Sequence, residues 1–405
     1  MDGVTSNRRK EWSYRRGSED GDLSGLQNGN MMGAHSTRTR NDGLLTAVCK
    51  LLVCSSAGVI FGIACEKGRV FEPSIIREQM LFTKFVLLKM FLSAVTSSLL
   101  CLALMSMLPF TYKKFVQARR EFAKTLKTKS ALSSVVGGGI LGAGMTLCGS
   151  CPGMVLSQVG AGVNNAVVVL FGCFAGAALY GLMEPWVTRM TKPAEPHKIY
   201  ALDQGMPTPF FFLALPLAST LAVVIFCVEH FVPWTTDLTA PNAPADSWFT
   251  MRSWPPILSG IIVGCLQVPV VLSVEDTIGA SGSYCTAVSQ VLVTSHLQRL
   301  SSYLSRHRKG LENWWQVFYV TGAVLGAWIS STSSETFGSV HGVSTNTAFL
   351  GGILIIFGAR LAAGCTSGHG VSGMGTLSLL SFIVVPATFT GGIATAFTLK
   401  SLAVI

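Results

Sequence analysis

Nine apolar runs of about 20 residues are separated by more polar stretches, and they constrain the fold more than any other feature of this chain. A helix of that length spans the hydrocarbon core of a bilayer. A tenth segment, 277–297, is interrupted by polar residues and is predicted to dip into the membrane without crossing it. The sequence therefore predicts an all-α polytopic membrane protein with about nine transmembrane helices and broken or re-entrant segments. The crossing runs lie at about 44–65, 81–108, 131–150, 164–183, 209–231, 254–272, 313–332, 346–365 and 375–399.

Composition and charge agree with a bilayer as the surrounding medium. Hydrophobic residues make up 49% of the chain and charged residues 12%, which excludes disorder and argues against an ordinary soluble domain. The net charge of +10 comes from basic residues between the apolar runs, so nucleic-acid binding is not expected. The loops 109–130 and 298–312 are strongly basic, and the positive-inside rule places them in the cytoplasm.

These patterns predict four regions along the chain. Residues 1–43 are polar, lack an apolar core and are expected to form a disordered cytoplasmic tail. A first transmembrane repeat is predicted at 44–183 and a second at 254–405. Between them, 184–253 would be a linker with one connecting transmembrane helix. The protein is expected to be a multi-pass protein of the plasma membrane with its N-terminus in the cytoplasm.

The two repeats are suggested by a match in which every paired position is separated by the same offset in the numbering. Each copy is a glycine-rich run that ends in a small residue, a cysteine and a helix-breaking segment. Because one extra helix lies between the copies, the second would be inverted relative to the first, and paired broken helices of this kind mark the midplane binding sites of transporters. Chance similarity is the alternative, since glycine-rich membrane helices resemble one another through packing alone. The matched pairs are Gly138 and Gly352, Gly144 and Gly358, Leu147 and Leu361, and Cys151 and Cys365.

The two breaks carry groups suited to a small sulfur-containing anion. A broken helix exposes backbone N–H groups at the start of the next helical segment, and these groups together with the helix dipole favour an anion. Cys151 and Cys365 supply polarizable thiols, which are weak donors suited to a soft sulfur atom. Thr366 and Ser367 supply hydroxyl groups, and Gly368 lets backbone approach a ligand closely.

Other candidate site residues have two open interpretations each. Arg360 is a charge within an apolar run and is a functional candidate, unless it pairs with a buried acid or reaches an interface. His369 could donate to an anion or serve as a structural hydrogen-bonding group. A weaker second pair of breaks follows Cys65 and Cys265, and the later of these breaks contains Cys285.

Two alternative functions remain open from these residues. Cys148 and Cys151 form a CxxC pattern, which a membrane thiol-disulfide oxidoreductase would use. The same pair with Cys365 and His369 could hold a soft metal in a metal transporter. No nucleotide-binding motif is present in the sequence, so no cofactor and no enzymatic activity are expected.

Residues 361–370, which read LAAGCTSGHG and are followed by Ser372-Gly373, resemble the signature of the YeeE/YedE family of sulfur-transport membrane proteins. Cys151-Pro152-Gly153 resembles the other core motif of that family. A third family segment is similar to Gln267 with Gly279, Ser281 and Tyr284.

This resemblance implies an hourglass-shaped helical protein in which cysteines pass a thiosulfate ion along through thiol hydrogen bonds. Cys151 and Cys365 match the family's pore cysteines, and Cys65 matches its entrance cysteine. The implied partners are thiosulfate or a related anion, the lipid bilayer and a cytoplasmic protein that accepts the sulfur.

Overall fold

The structure, a computed structural model, describes residues 36–127, 129–191, 201–205, 208–238, 247–293 and 301–402. Within these ranges the chain is helical and forms no β-strand, apart from an isolated bridge between Ala201 and Ser378. In chain order the helices are α1 (Ser36–Lys67), α2 (Pro73–Met80), α3 (Val86–Met107), α4 (Pro109–Lys127), α5 (Ala131–Cys148), α6 (Met154–Gly160), α7 (Ala166–Thr191), α8 (Phe210–Phe231), α9 (Trp234–Asp237), α10 (Pro256–Cys265), α11 (Gln267–Val274), α12 (Ser281–Leu292), α13 (Ser302–Arg306), α14 (Leu311–Ser333), α15 (Thr345–Leu361), a π-helix (Thr366–Met374) and α16 (Leu379–Ser401).

Eight helical segments of the described chain are long and apolar enough to cross a membrane, which confirms the all-α polytopic class. The ninth predicted crossing, 313–332, falls in α14, which has 23 residues but carries polar side chains such as Asn313 and Gln316. At 1.5 Å per residue α14 still exceeds the roughly 30 Å of the hydrocarbon core. Helix α12 has only 12 residues and is too short to cross, in agreement with the predicted re-entrant segment.

Two predicted irregular stretches are helical instead. Met1–Thr46 is a unit separate from the rest of the chain, and within it the described residues belong to α1. The predicted disordered tail falls mostly on residues 1–35, which lie outside the described residues, whereas 36–43 are helical. A helix that has nucleated in an apolar run can extend through polar residues at little further cost.

The predicted basic loop 109–130 contains the 19-residue helix α4. Its buried residues Phe115 and Ala118 pack against the same apolar cluster as α3. Arg119 forms two hydrogen bonds with the carboxylate of Asp203, of 2.9 and 2.5 Å. The segment is not among the helices apolar enough to cross a membrane, and it is helical because its basic residues occupy one face of a helix whose other face is apolar.

The two cysteine breaks have the same backbone geometry. Gly149 and Ala363 hold equivalent positions two residues before each cysteine, and both adopt left-handed conformations, with φ of 60° and 69°. One residue later, the N–H of Ser150 bonds the carbonyl of Met145 at 3.2 Å, and the N–H of Gly364 bonds that of Ala359 at 2.9 Å. Each helix thus ends in a Schellman motif immediately before its cysteine.

In each half, the short helix that follows the cysteine break forms a side-chain hydrogen bond with the second break of the same half. In the first half, the Gln158 amide donates to the carbonyl of Phe71 at 2.8 Å. In the second half, the Ser372 hydroxyl donates to the carbonyl of Ile278 at 2.7 Å. Gln158 and Ser372 are separated by the same offset as the two break cysteines, and their partners by a slightly shorter one. A pair of matching tertiary hydrogen bonds is what the predicted repeat would produce.

The helices of the two predicted repeats also pack against one another in matching pairs. Helix α5 packs against α15 and α16, and α15 packs against α5 and α7. Likewise α6 packs against α14, and the π-helix packs against α3. Such exchanged pairings are those expected of two halves related by a two-fold axis. Inversion of the second half relative to the membrane stays a prediction.

The hydrogen bonds of Gln158 allow a test of the link between breaks. The Gln158→Met substitution keeps the side-chain volume but removes donors to two buried carbonyls, those of Phe71 and Gly149, each at 2.8 Å. We expect a loss of about 1–3 kcal/mol in stability, since a buried acceptor is left unpaired. Thermal denaturation in detergent measures it. Ser134→Ala is the control, because the buried Ser134 hydroxyl has no hydrogen-bond partner among the described residues, and an equal effect of both changes would contradict the assignment.

Candidate functional site

Three cysteines from distant parts of the chain line one buried cavity of about 80 Å³, here called the chamber. Cys65 comes from the end of α1, Cys151 from the break between α5 and α6, and Cys365 from the break before the π-helix. Each of the three side chains is no more than 9% exposed. Three further predicted site residues line the same chamber, namely Thr366, Ser367 and His369.

The remaining wall of the chamber is mostly apolar. Phe61, Met90, Phe91 and Phe389 contribute to it, together with other aliphatic side chains. Because an uncompensated polar group in such surroundings is strongly disfavoured, the few thiol and hydroxyl groups must provide the polar contacts for any occupant. The chamber is small, since one water requires about 10–15 Å³ of such volume. It therefore has room for an ion of a few heavy atoms.

Cys65 is held by a buried ionic cluster that begins at the next residue. The Glu66 carboxylate forms an ion pair of 3.1 Å with Arg69 and accepts hydrogen bonds from Ser330 at 2.7 Å and Thr336 at 3.0 Å. Since Ser330 and Thr336 lie at the end of α14 and just beyond it, the cluster fixes the end of α1 against the second half. The position of Cys65 therefore depends on both halves of the chain.

Cys151 faces the chamber, whereas Cys148 does not line it. The Cys148 thiol donates to the carbonyl of Gly144 in its own helix at 3.1 Å. All eleven cysteines are free in the structure, so Cys148 and Cys151 are not joined. The peptide after Cys151 is held from another element, because the Tyr284 hydroxyl donates to the carbonyl of Pro152 at 2.6 Å.

Cys365 lies between the chamber and a second cavity, because it lines both. It precedes the first turn of the π-helix, where backbone N–H groups have no partner within the helix. Its sulfur is 3.2 Å from the Ser367 hydroxyl. π-Helical turns are rare and occur often at functional sites. Among the predicted site residues, Cys365 is the one that lines both cavities.

The second cavity, here called the basin, is polar and has a volume of about 270 Å³. Ser281 and Gly282 at the start of α12 line it, as do Gln316 of α14 and Arg360 of α15. Gly368, another predicted site residue, lies in its wall. Sequence reasoning missed Gln316, for which the one available signal is that a polar amide within an apolar run is unusual.

Arg360 has no acidic partner in the part of the chain that the structure describes. Its guanidinium donates to the hydroxyl of Ser281, and its Nε has no hydrogen-bond partner within the described ranges. No carboxylate of a described residue lies within 4.0 Å of it. Of the two interpretations left open by the sequence, pairing with a buried acid is therefore not what is observed.

His369 uses both ring nitrogens within the protein. Nε2 lies 3.0 Å from the carbonyl of Ala362, and Nδ1 lies 3.0 Å from the hydroxyl of Ser381. A carbonyl can only accept, so Nε2 carries the proton and Nδ1 accepts from Ser381. The structural interpretation of His369 therefore fits best, and the residue offers the chamber only the edge of its ring.

Cys285 is not brought together with the other cysteines. Its sulfur is buried 3.9 Å from the hydroxyl of Tyr303, and it lines neither the chamber nor the basin. The four residues considered for a soft metal also lack a suitable arrangement. Among the described residues, no three His, Cys, Asp or Glu side chains are grouped as a metal would require.

Fold and site together define a polytopic helical membrane protein with a buried chamber that three thiols line. The model of the family described as "Sulphur transport" matches residues 67–394, and the chain belongs to that family. It is similar to the thiosulfate transporter TsuA of Spirochaeta thermophila, with 22% identity over 337 residues, covering 80% of this chain and 92% of the relative.

Two further relatives extend this comparison. Thiosulfate transporter TsuA of Escherichia coli is 26% identical over 254 residues, covering 59% of this chain and 66% of that protein. A "Probable transporter" of Xylella fastidiosa is 29% identical over 144 residues, which is 35% of this chain but 92% of the relative. The Xylella protein is therefore about as long as one of the two predicted repeats of this chain.

Proposed function

We propose that the protein carries thiosulfate, or a closely related small sulfur-containing anion, across the plasma membrane through the chamber. The observation that carries this proposal is the placement of Cys65, Cys151 and Cys365 around one small cavity, with Cys365 also lining the basin. Membership of the sulphur-transport family and similarity to the thiosulfate transporters support the substrate class.

The chemistry of the chamber suits an anion with a soft sulfur end. Thiols are weak, polarizable donors, and an S–H group can donate to a sulfur atom without binding it tightly. The N–H groups of the first π-helical turn and the hydroxyls of Thr366 and Ser367 can donate to the oxygen end. Weak contacts at several positions allow the ion to enter and also to leave.

A path through the membrane follows from this arrangement. The ion would reach Cys65 and Cys151 in the chamber, pass Cys365 and then enter the basin. With the N-terminus and the basic segments 109–130 and 298–312 in the cytoplasm, the basin would open to the cytoplasmic side. A cytoplasmic protein that accepts the sulfur would take the ion there. The two halves would be inverted repeats, with their breaks meeting near the bilayer midplane.

Uptake of labelled thiosulfate tests this function directly. Cells that lack their own uptake system should accumulate the label when they express this chain and should not do so without it. The Cys148→Ser variant should retain uptake, since Cys148 does not line the chamber. A membrane thiol oxidoreductase would instead need Cys148 and Cys151 as a reversible disulfide. Loss of activity in Cys148→Ser, together with a trapped disulfide in the wild type, would contradict the transport proposal.

A further inference from the structure

We propose that the basin is a second anion site, centred on Arg360, that binds the oxygen atoms of sulfate-like oxyanions. The order in which an ion would visit the two cavities rests on the proposed function, whereas the binding site itself does not. In this arrangement the chamber contacts the sulfur end of the ion through thiols. The basin contacts its oxygens through a guanidinium, a hydroxyl and backbone N–H groups.

The first argument is the charge of Arg360. A guanidinium stays protonated in proteins, so it cannot avoid the cost of burial by losing its charge. Its Nε is buried without a partner, and no described carboxylate lies within ion-pair distance. Arg360 as a whole is only partly buried and lines the basin, so an anion there could form a charge-assisted hydrogen bond with its guanidinium.

The arginine beside the first cysteine break has different hydrogen-bond partners. There, Arg77 of α2 donates to the carbonyls of Thr146 at 3.0 Å and Leu147 at 2.7 Å, at the end of α5. Thr146 and Arg360 are related by the same offset as the two break cysteines. Each half therefore has one guanidinium beside its cysteine break. Arg77 is engaged by backbone oxygens, whereas Arg360 lies beside Tyr303 and Cys285 and also lines the basin.

The second argument is the set of donors around Arg360. Ser281 and Gly282 bring the first turn of α12 to the basin, and this 12-residue helix has its positive dipole end there. Gln316 lies directly against Gly282, since an added Cβ at Gly282 would be 2.2 Å from the Gln316 Oε1. The absence of a side chain at Gly282 is thus what leaves room for this amide.

The other titratable groups of the basin leave Arg360 as its cation near neutral pH. Burial lowers the pKa of His307 to about 4, and its Nδ1 donates to the carbonyl of Tyr303 at 2.9 Å. The Asp276 carboxylate also lines the basin and accepts a hydrogen bond of 2.7 Å from the N–H of Thr277.

The test is equilibrium binding of sodium sulfate to the purified full-length protein in detergent, measured by isothermal titration calorimetry, with sodium chloride at equal ionic strength as the blank. Sulfate has the oxygens but no terminal sulfur. We expect the wild type and Cys227→Ala, which removes a thiol that lines neither cavity, to bind sulfate equally and Arg360→Met to bind it at least about tenfold more weakly, since a charge-assisted contact is lost. Wild-type sulfate affinity in Arg360→Met would overturn the proposal.

A second variant tests the site independently if Arg360→Met does not fold. Gly279 lines the basin, and an added Cβ there would meet no atom within 4 Å. Gly279→Leu should therefore fold, fill part of the basin and weaken sulfate binding at least about tenfold without altering Arg360. Gly139→Ala in α5, which also has no neighbour within 4 Å of its Cβ, is the control. Unchanged sulfate binding in a folded Gly279→Leu variant would contradict the site.

The results also separate this site from the transport function. If the chain fails to take up thiosulfate but loses sulfate binding in Arg360→Met, the basin site stands and the proposed function falls. If uptake depends on the cysteines while Arg360→Met binds sulfate normally, the proposed function stands and the basin site falls.

Discussion

Cys365→Ala is expected to lower thiosulfate uptake to background while the protein still reaches the membrane. Cys365 is the cysteine that lines both cavities, so an ion that moves between them must pass its thiol. A hydrogen bond to a charged group contributes about 1.5–3 kcal/mol, which corresponds to about a ten- to hundredfold change in rate when it is lost at the narrowest point. Cys151→Ala should show a loss of the same order.

Two other cysteine variants serve as matched controls. Cys285→Ala removes an equally buried thiol that lines neither cavity, and Cys227→Ala removes an exposed one on α8. Both should keep uptake near the wild-type rate at equal protein levels. Normal uptake in Cys365→Ala, or equal losses in Cys365→Ala and Cys285→Ala, would contradict the assignment of the chamber.

Gly142→Ala is expected to have the largest effect on stability. Gly142 lies where α5 crosses α16, and an added Cβ would be 1.8 Å from the carbonyl oxygen of Thr388. That oxygen belongs to a helix backbone, which cannot move aside as a flexible side chain could. Overpacking of this kind costs about 1–3 kcal/mol or more, because the two helices must separate. The midpoint of thermal denaturation in detergent should fall clearly below that of the wild type.

Gly139→Ala is the control for this comparison, because it lies on the same helix one turn earlier. An added Cβ at Gly139 meets no atom within 4 Å, so only the gain in helix propensity of up to about 1 kcal/mol is expected. Its denaturation midpoint should equal or exceed that of the wild type. If Gly142→Ala is as stable as Gly139→Ala, the close crossing of α5 and α16 is not present in the membrane.

Much of the site could be predicted from the sequence because its signals are local. A helix that ends in a small residue, a cysteine and a breaker needs only neighbouring residues to define it, so Cys151 and Cys365 can be identified together. The offset between these cysteines also relates Gln158 to Ser372, a pair that no sequence motif singles out. The left-handed Ala363 was not predictable by residue type, because alanine rarely adopts that conformation.

Other features depend on tertiary contacts that no local pattern encodes. Cys285 and Cys365 look alike in sequence, yet the orientation of α12 turns Cys285 toward Tyr303 and away from the chamber. The ring nitrogens of His369 contact the hydroxyl of Ser381 and the carbonyl of Ala362, and a sequence does not show which nitrogen contacts which group. The apolar face of α4 is hard to recognise in sequence, because its few apolar residues are interspersed among many basic ones.

The central claim is that the transported ion occupies the chamber between Cys151 and Cys365. Selenosulfate, in which selenium replaces the terminal sulfur of thiosulfate, gives an anomalous X-ray signal that locates this atom in crystals of the protein. We expect the selenium in the chamber, within contact distance of the Cys151 and Cys365 thiols, and absent from crystals of a Cys151→Ala Cys365→Ala double variant. Selenium found only outside the chamber, or bound equally well in the double variant, would contradict the claim.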